Sequence, residues 1–131
     1  MLVFRNIDHD SVEGEWVERE VWGAKVRFQI RPRTQALVEK IRSKHKRRVN
    51  GQDVYDDQKV LDEMNDYIFQ SFDGIYEELP GGGSRLMEVN LANKKKILYM
   101  DVPFGQVSNA VWIFDHANQA GFDVQDEEQK N

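Results

Sequence analysis

The chain has no cysteine. That removes disulfides, thiolate nucleophiles and cysteine metal sites together, and it fits a reducing compartment. It has three prolines in 131 residues and no apolar run near the ~20 residues that a membrane helix needs. Its first ten residues, MLVFRNIDHD, turn charged too soon to read as a secretory signal. These absences predict a cytoplasmic protein with no membrane partner. Positive charge is also scarce: 18 Lys and Arg stand against 23 Asp and Glu, a formal charge of −5. Such a balance excludes a polycation that coats nucleic acid or anionic lipid. What is present is a chain of single-domain length, 40% apolar and 31% charged, long enough to bury a core without staples.

The charge is segregated. Residues 31–48 hold eight basic side chains with Glu39 as the only acid, while the remainder carries ten basic and twenty-two acidic groups. At the other extreme, residues 123–131 contain Asp123, Asp126, Glu127 and Glu128 against Lys130, with Val124 as the only apolar residue. That composition reads as an acidic disordered tail, which leaves residues 1–122 as one domain.

Periodicity predicts an α+β fold, with an N-terminal antiparallel hairpin or small sheet followed by about four helices. Residues 2–7 read as a short strand. Residues 15–21 and 24–30 read as two strands joined by Trp22-Gly23, because Val26, Phe28 and Ile30 alternate with Lys25, Arg27 and Gln29. Pro32 ends the second strand, and Thr34 is placed to cap a helix over residues 35–49 that Asn50-Gly51 stops. In that helix Leu37, Val38, Ile41, His45 and Val49 share an arc of ~120°. Asp56 or Asp57 caps a second helix running to about Phe72, which Asp73-Gly74 closes. Residues 75–79 read as a short extended piece before the flexible Pro80-to-Ser84 loop. Asn90 caps a helix to about Met100. A last helix starts near Pro103 and ends at Gly121, with Val107, Ala110, Val111, Phe114 and Ala117 as its apolar stripe.

Catalytic constellations do not form in this sequence. Asp8, His9 and Asp10 offer metal-binding atoms, but neighbours in extended chain point to opposite sides. His45 and His116 fall in different helices, and His45 reads as a core-edge histidine. No serine sits in a GxSxG elbow, and Gly81-Gly82-Gly83-Ser84 lacks the lysine of a phosphate loop. Carboxylate pairs such as Asp56-Asp57 and Glu77-Glu78 read as surface groups. The expectation is a non-enzyme with no metal and no cofactor.

Two features point to binding. Arg42, Lys46 and Arg47 lie outside the apolar arc of the helix over residues 35–49, and Arg48 falls inside it at the last turn, where its long stem reaches out to water, so the four make up the basic set. Trp112 lies ~140° from Val107 on the last helix, off its apolar stripe, where a tryptophan serves as a contact anchor. Trp16 and Trp22 share a strand face with Glu18 and Glu20. Trp112 with these basic residues is the candidate partner-binding set. A protein partner matches both signs of charge and buries apolar groups, so it is favoured over nucleic acid.

The segment from Gly74 to Gly121 resembles the C-terminal half of small phage and prophage tail assembly chaperones. Gly74-Ile75, Glu77-Glu78, Asn90-Leu91 with Asn93-Lys94, and Pro103 followed by Val107, Val111 and Phe114 carry the likeness. The resemblance covers about a third of the chain. It implies a non-enzymatic cytoplasmic protein that holds the tail tape-measure polypeptide before assembly. The alternative is a small nucleic-acid-associated regulator that uses the basic helix.

Overall fold

In the computed structural model, residues 2 and 7–130 are described, with side chains up to residue 121. The hairpin forms in the expected register. β1 (Glu15–Val21) pairs antiparallel with β2 (Ala24–Ile30) from Glu15↔Ile30 to Val21↔Ala24. Trp22 (φ 51°) and Gly23 (φ 74°) both take left-handed backbone, the geometry that a two-residue hairpin turn needs. The strand expected over residues 2–7 lies largely outside the described residues.

Beyond Thr34, whose hydroxyl accepts from the Leu37 amide, α1 spans Gln35–Lys44 and stops earlier than expected. Lys46, Arg47 and Arg48 are therefore not helical. They lie on β3 (Lys46–Val49), which pairs with β4 (Gln52–Tyr55) across Asn50-Gly51. Asn50 (φ 52°) and Gly51 (φ 76°) form the hairpin turn rather than a helix stop. Asn-Gly is the strongest short hairpin signal, and four residues of strand on either side complete it.

Asp56 caps α2 (Asp57–Ile68) by accepting from the Lys59 amide. α2 also ends before the expected Phe72. Phe69–Asp73 form β5, which joins the other edge of β2 and gives a three-stranded sheet in the order β1-β2-β5. Phe69 and Phe72 stand three apart, a spacing that also suits a helix, and the unpaired edge of β2 decides for strand. Gln29 faces Ser71 and Ile30 faces Phe69, so Gln70 is the extra residue of a bulge. Its side-chain oxygen accepts from the Gly14 amide at 2.7 Å, which ties the hairpin's start to β5.

β6 (Tyr76–Glu78) and β7 (Ser84–Leu86) make a small hairpin, so the glycine loop is its turn. Asn90 caps α3 (Leu91–Leu98) through the Asn93 amide. α4 (Asn109–Lys130) begins six residues after Pro103, so Val107 stays outside it and is exposed. Gly121 lies inside α4, not at its end. A side chain there would collide with the Arg33 carbonyl, so glycine is needed for α4 to lie against the β2–α1 connection. The helix continues to Lys130, through the segment whose composition predicts disorder.

The architecture is α+β. One sheet face carries Val26, Phe28 and Phe72, and the helices cover it, with α1 on α2, α2 on α3, α3 on α4, and α4 back on β2. Phe28, Phe69, Ile68, Ile97, Leu98 and Ile113 fill the centre. The opposite face, with Trp16, Glu18 and Arg27, meets water; the Arg27 guanidinium covers the Trp16 ring at 4.8 Å. No helix among the described residues is long and apolar enough to cross a membrane.

Candidate functional site

Trp112 is not an exposed anchor. It is half-buried, edge-on to Phe28 (5.8 Å between ring centres) and against His116 (4.0 Å). Of the expected stripe Ala110 and Ala117 are buried, but it left out Ile113, which is fully buried, and took in Val111, which is exposed. Placing the helix start at Pro103 drew Val107 into the stripe and rotated the wheel.

A polar clamp explains how Trp112 is held. The Arg19 side chain is buried on β1, and its guanidinium stacks 5.4 Å from the Trp112 ring. It donates to the Asn109 side-chain oxygen and to the Val107 carbonyl, both at 2.6 Å. Asn109 is itself buried and donates to the Ile97 carbonyl at 2.9 Å. Burial lowers the Arg19 pKa from the usual arginine range. The charge is met by hydrogen bonds instead of a carboxylate, and this network joins β1, α3 and α4.

Above the clamp lies a groove of about 290 Å³, lined by Trp22, Val26, Phe28, Ile75, Tyr76 and Met100, with Asn109 at its base. The left-handed turn takes Trp22 off the Trp16 face that strict alternation gives it. Its indole NH reaches the Asp101 carbonyl at 2.9 Å, and 62% of the residue stays in water. Tyr76 and its β7 partner Leu86 are exposed, as are Tyr99, Met100 and Phe104 in the loop after α3. Of these exposed residues, Trp22, Tyr76 and Met100 line the groove.

The predicted basic set is distributed differently. All of β3 is exposed, but alternation puts Lys46 and Arg48 on one face of the ribbon and Arg47 on the other. Arg48 braces its own turn, donating to the Gly51 carbonyl at 2.7 Å and to Asp53 at 3.4 Å. The Arg42 guanidinium stacks 4.4 Å from the Tyr55 ring. Lys44 and His45 both meet Glu63 at 3.2 Å. Lys46 and Arg47 have no ion-pair partner among the described residues.

Between α1, α2 and α4 a second groove of about 310 Å³ has an apolar floor of Val38, Val60, Leu61, Met64 and Phe114. Arg33, Arg42 and Asp57 stand around it. A cavity of about 180 Å³ lies beside His9, Arg31 and Tyr67. There the Tyr67 hydroxyl donates to the His9 carbonyl at 2.8 Å, and burial raises the Tyr67 pKa.

Sequence reasoning missed the Trp22 groove. Its residues come from separate segments that only the fold assembles, and the one local signal was an aromatic at a hairpin turn. No family model, curated protein or solved structure matches the chain.

Proposed function

We propose that this chain is a non-enzymatic assembly factor of the phage or prophage tail assembly chaperone kind. In this reading it acts in the cytoplasm, without a cofactor. It holds an apolar segment of the tail tape-measure polypeptide in the Trp22 groove until assembly. The observation that carries the reading is the groove itself: carbon-lined, about 290 Å³, and bordered by exposed Trp22, Tyr76 and Met100. Such a surface gains by covering apolar area, at roughly 25 cal/mol per Å² before the costs of association. Gly74, Ile75, Tyr76, Met100 and Asn109 all line it and all fall within the segment that resembles the chaperones. Co-expression with a tape-measure segment tests the idea. The expected result is a soluble complex that co-elutes and is lost in Trp22→Ala. Co-elution unchanged by Trp22→Ala and Tyr76→Ala would remove the groove from the account.

One observation supports the second reading, a nucleic-acid-associated regulator. Lys46 and Arg47 are exposed and lack ion-pair partners among the described residues, on a two-stranded ribbon. Against it, Asp53, Asp56 and Asp57 occupy the same stretch of chain. A phosphate backbone within a Debye length of about 8 Å feels both signs.

A further inference from the structure

The groove between α1, α2 and α4 differs in kind from the Trp22 groove. Its floor is apolar, and Leu61 within it is 43% exposed. Its rim is basic. Arg33 stands at the start of α1, and Arg42, near its end, carries the rim over to Tyr55. At Asp57 it meets a wider polar depression of about 520 Å³ lined by Lys44, Lys46, Arg47 and Lys59, with Asp56 on the same side. The basic residues around the two outnumber the two aspartates. Lys44 is offset by Glu63 and Lys59 approaches Asp56 at 3.9 Å, whereas Lys46 and Arg47 remain unpaired among the described residues.

We propose that this groove docks an acidic amphipathic α-helix of a protein partner, separate from the segment held at the Trp22 groove. Charge complementarity selects the occupant. Carboxylates on the partner helix meet Arg33 and Arg42, the two basic side chains that line the groove itself. Leucine-type side chains at i, i+3 and i+4 on its other edge fill the trough over Val60, Leu61 and Phe114. A nucleic acid satisfies the rim but brings no side chain to the floor. A basic helix fills the floor but meets like charge at the rim. A trough made by three helices has the form of the helix-in-groove mode, in which apolar anchors set affinity and rim charges set orientation and on-rate.

The test uses the full chain and three fluorescent probes at physiological salt. One is a short helical peptide with leucine at every third or fourth position and glutamate between. The second is its twin with lysine for glutamate, and the third is a duplex DNA. The glutamate peptide is expected to bind at least about tenfold tighter than the lysine twin, with affinity falling as salt rises. Arg42→Glu and Leu61→Asp should each weaken it about tenfold or more, while Trp22→Ala leaves it unchanged. Both substituted residues are exposed. Unchanged circular dichroism and melting temperature confirm folded variants. Equal binding of the two peptides, or no loss in Arg42→Glu, overturns the proposal. So does DNA binding that outcompetes the glutamate peptide. Loss of tape-measure binding with the peptide result intact would count against the Trp22 groove alone.

Discussion

Two regions of the molecule present a surface in opposite ways. In the hairpin region, a buried guanidinium is held by Asn109 and the Val107 carbonyl, and the groove above it is shaped by core residues such as Phe28. In the basic region, a four-residue ribbon turns on Asn50-Gly51 and stands in water, tied by Arg48 to its own loop. Shape is fixed by burial at the first and displayed charge dominates the second. Damage to the first should therefore be global, and damage to the second local.

The largest expected effect follows from that contrast. Asn109→Ala strips the buried Arg19 of a charge-assisted hydrogen bond and leaves the Ile97 carbonyl without its donor. It should lower the unfolding free energy by about 3 kcal/mol, read from denaturant midpoints. A loss below about 1 kcal/mol would mean that the clamp contributes little to the hairpin region. Gly51→Val forces a β-branched side chain onto left-handed backbone at φ 76°. Its cost of about 1–2 kcal/mol should appear as lost hydrogen-exchange protection over residues 46–55, with protection in β2 retained. Protection lost in both places would merge the two regions into one cooperative unit. Arg47→Ala touches no partner and should change stability by less than about 0.5 kcal/mol in the same denaturant assay.

The smallest effect is a pH dependence. Lys95 donates to Asp62 at 2.8 Å, and this hydrogen bond, with help from Gln58, lowers the Asp62 pKa in the folded state. A depressed folded pKa means that the stabilisation is present above the ordinary aspartate value of about 4 and is lost as pH falls through the folded value. Asp62→Asn should flatten the acid limb of a stability-versus-pH curve slightly. An unchanged limb would show that solvent screens the pair completely.

The hairpin over residues 15–30 was legible residue by residue, because alternation, length and a two-residue turn agreed. The caps at Thr34, Asp56 and Asn90 were legible too, because each is a local hydrogen bond. The ribbon was hidden: Lys46, Arg47 and Arg48 carry no alternation, so Val49 looked like the fourth turn of a helical arc and Asn50-Gly51 like its stop. β5 was hidden for a different reason. Ile68 and Phe72 keep helical spacing, and only the free edge of β2 pulls the chain into strand. Gly121 looked like a helix end, yet it answers to the Arg33 carbonyl from a distant segment. The candidate site fared worst. By wheel angle Trp112 reads as a contact anchor, but its burial depends on Arg19 and Phe28. The Trp22 groove gathers Trp22 from a hairpin turn, Tyr76 from β6 and Met100 from the loop after α3.

The central claim is that the carbon-lined groove in the hairpin region binds polypeptide. A paired calorimetric titration tests it most directly, with a tape-measure segment and a duplex DNA each added to the wild-type chain, to Trp22→Ala and to Arg47→Ala/Arg48→Ala at physiological salt. The account predicts saturable binding of the polypeptide that Trp22→Ala abolishes and the double arginine variant retains. Tight DNA binding that collapses in the arginine variant, with no polypeptide binding, would contradict it.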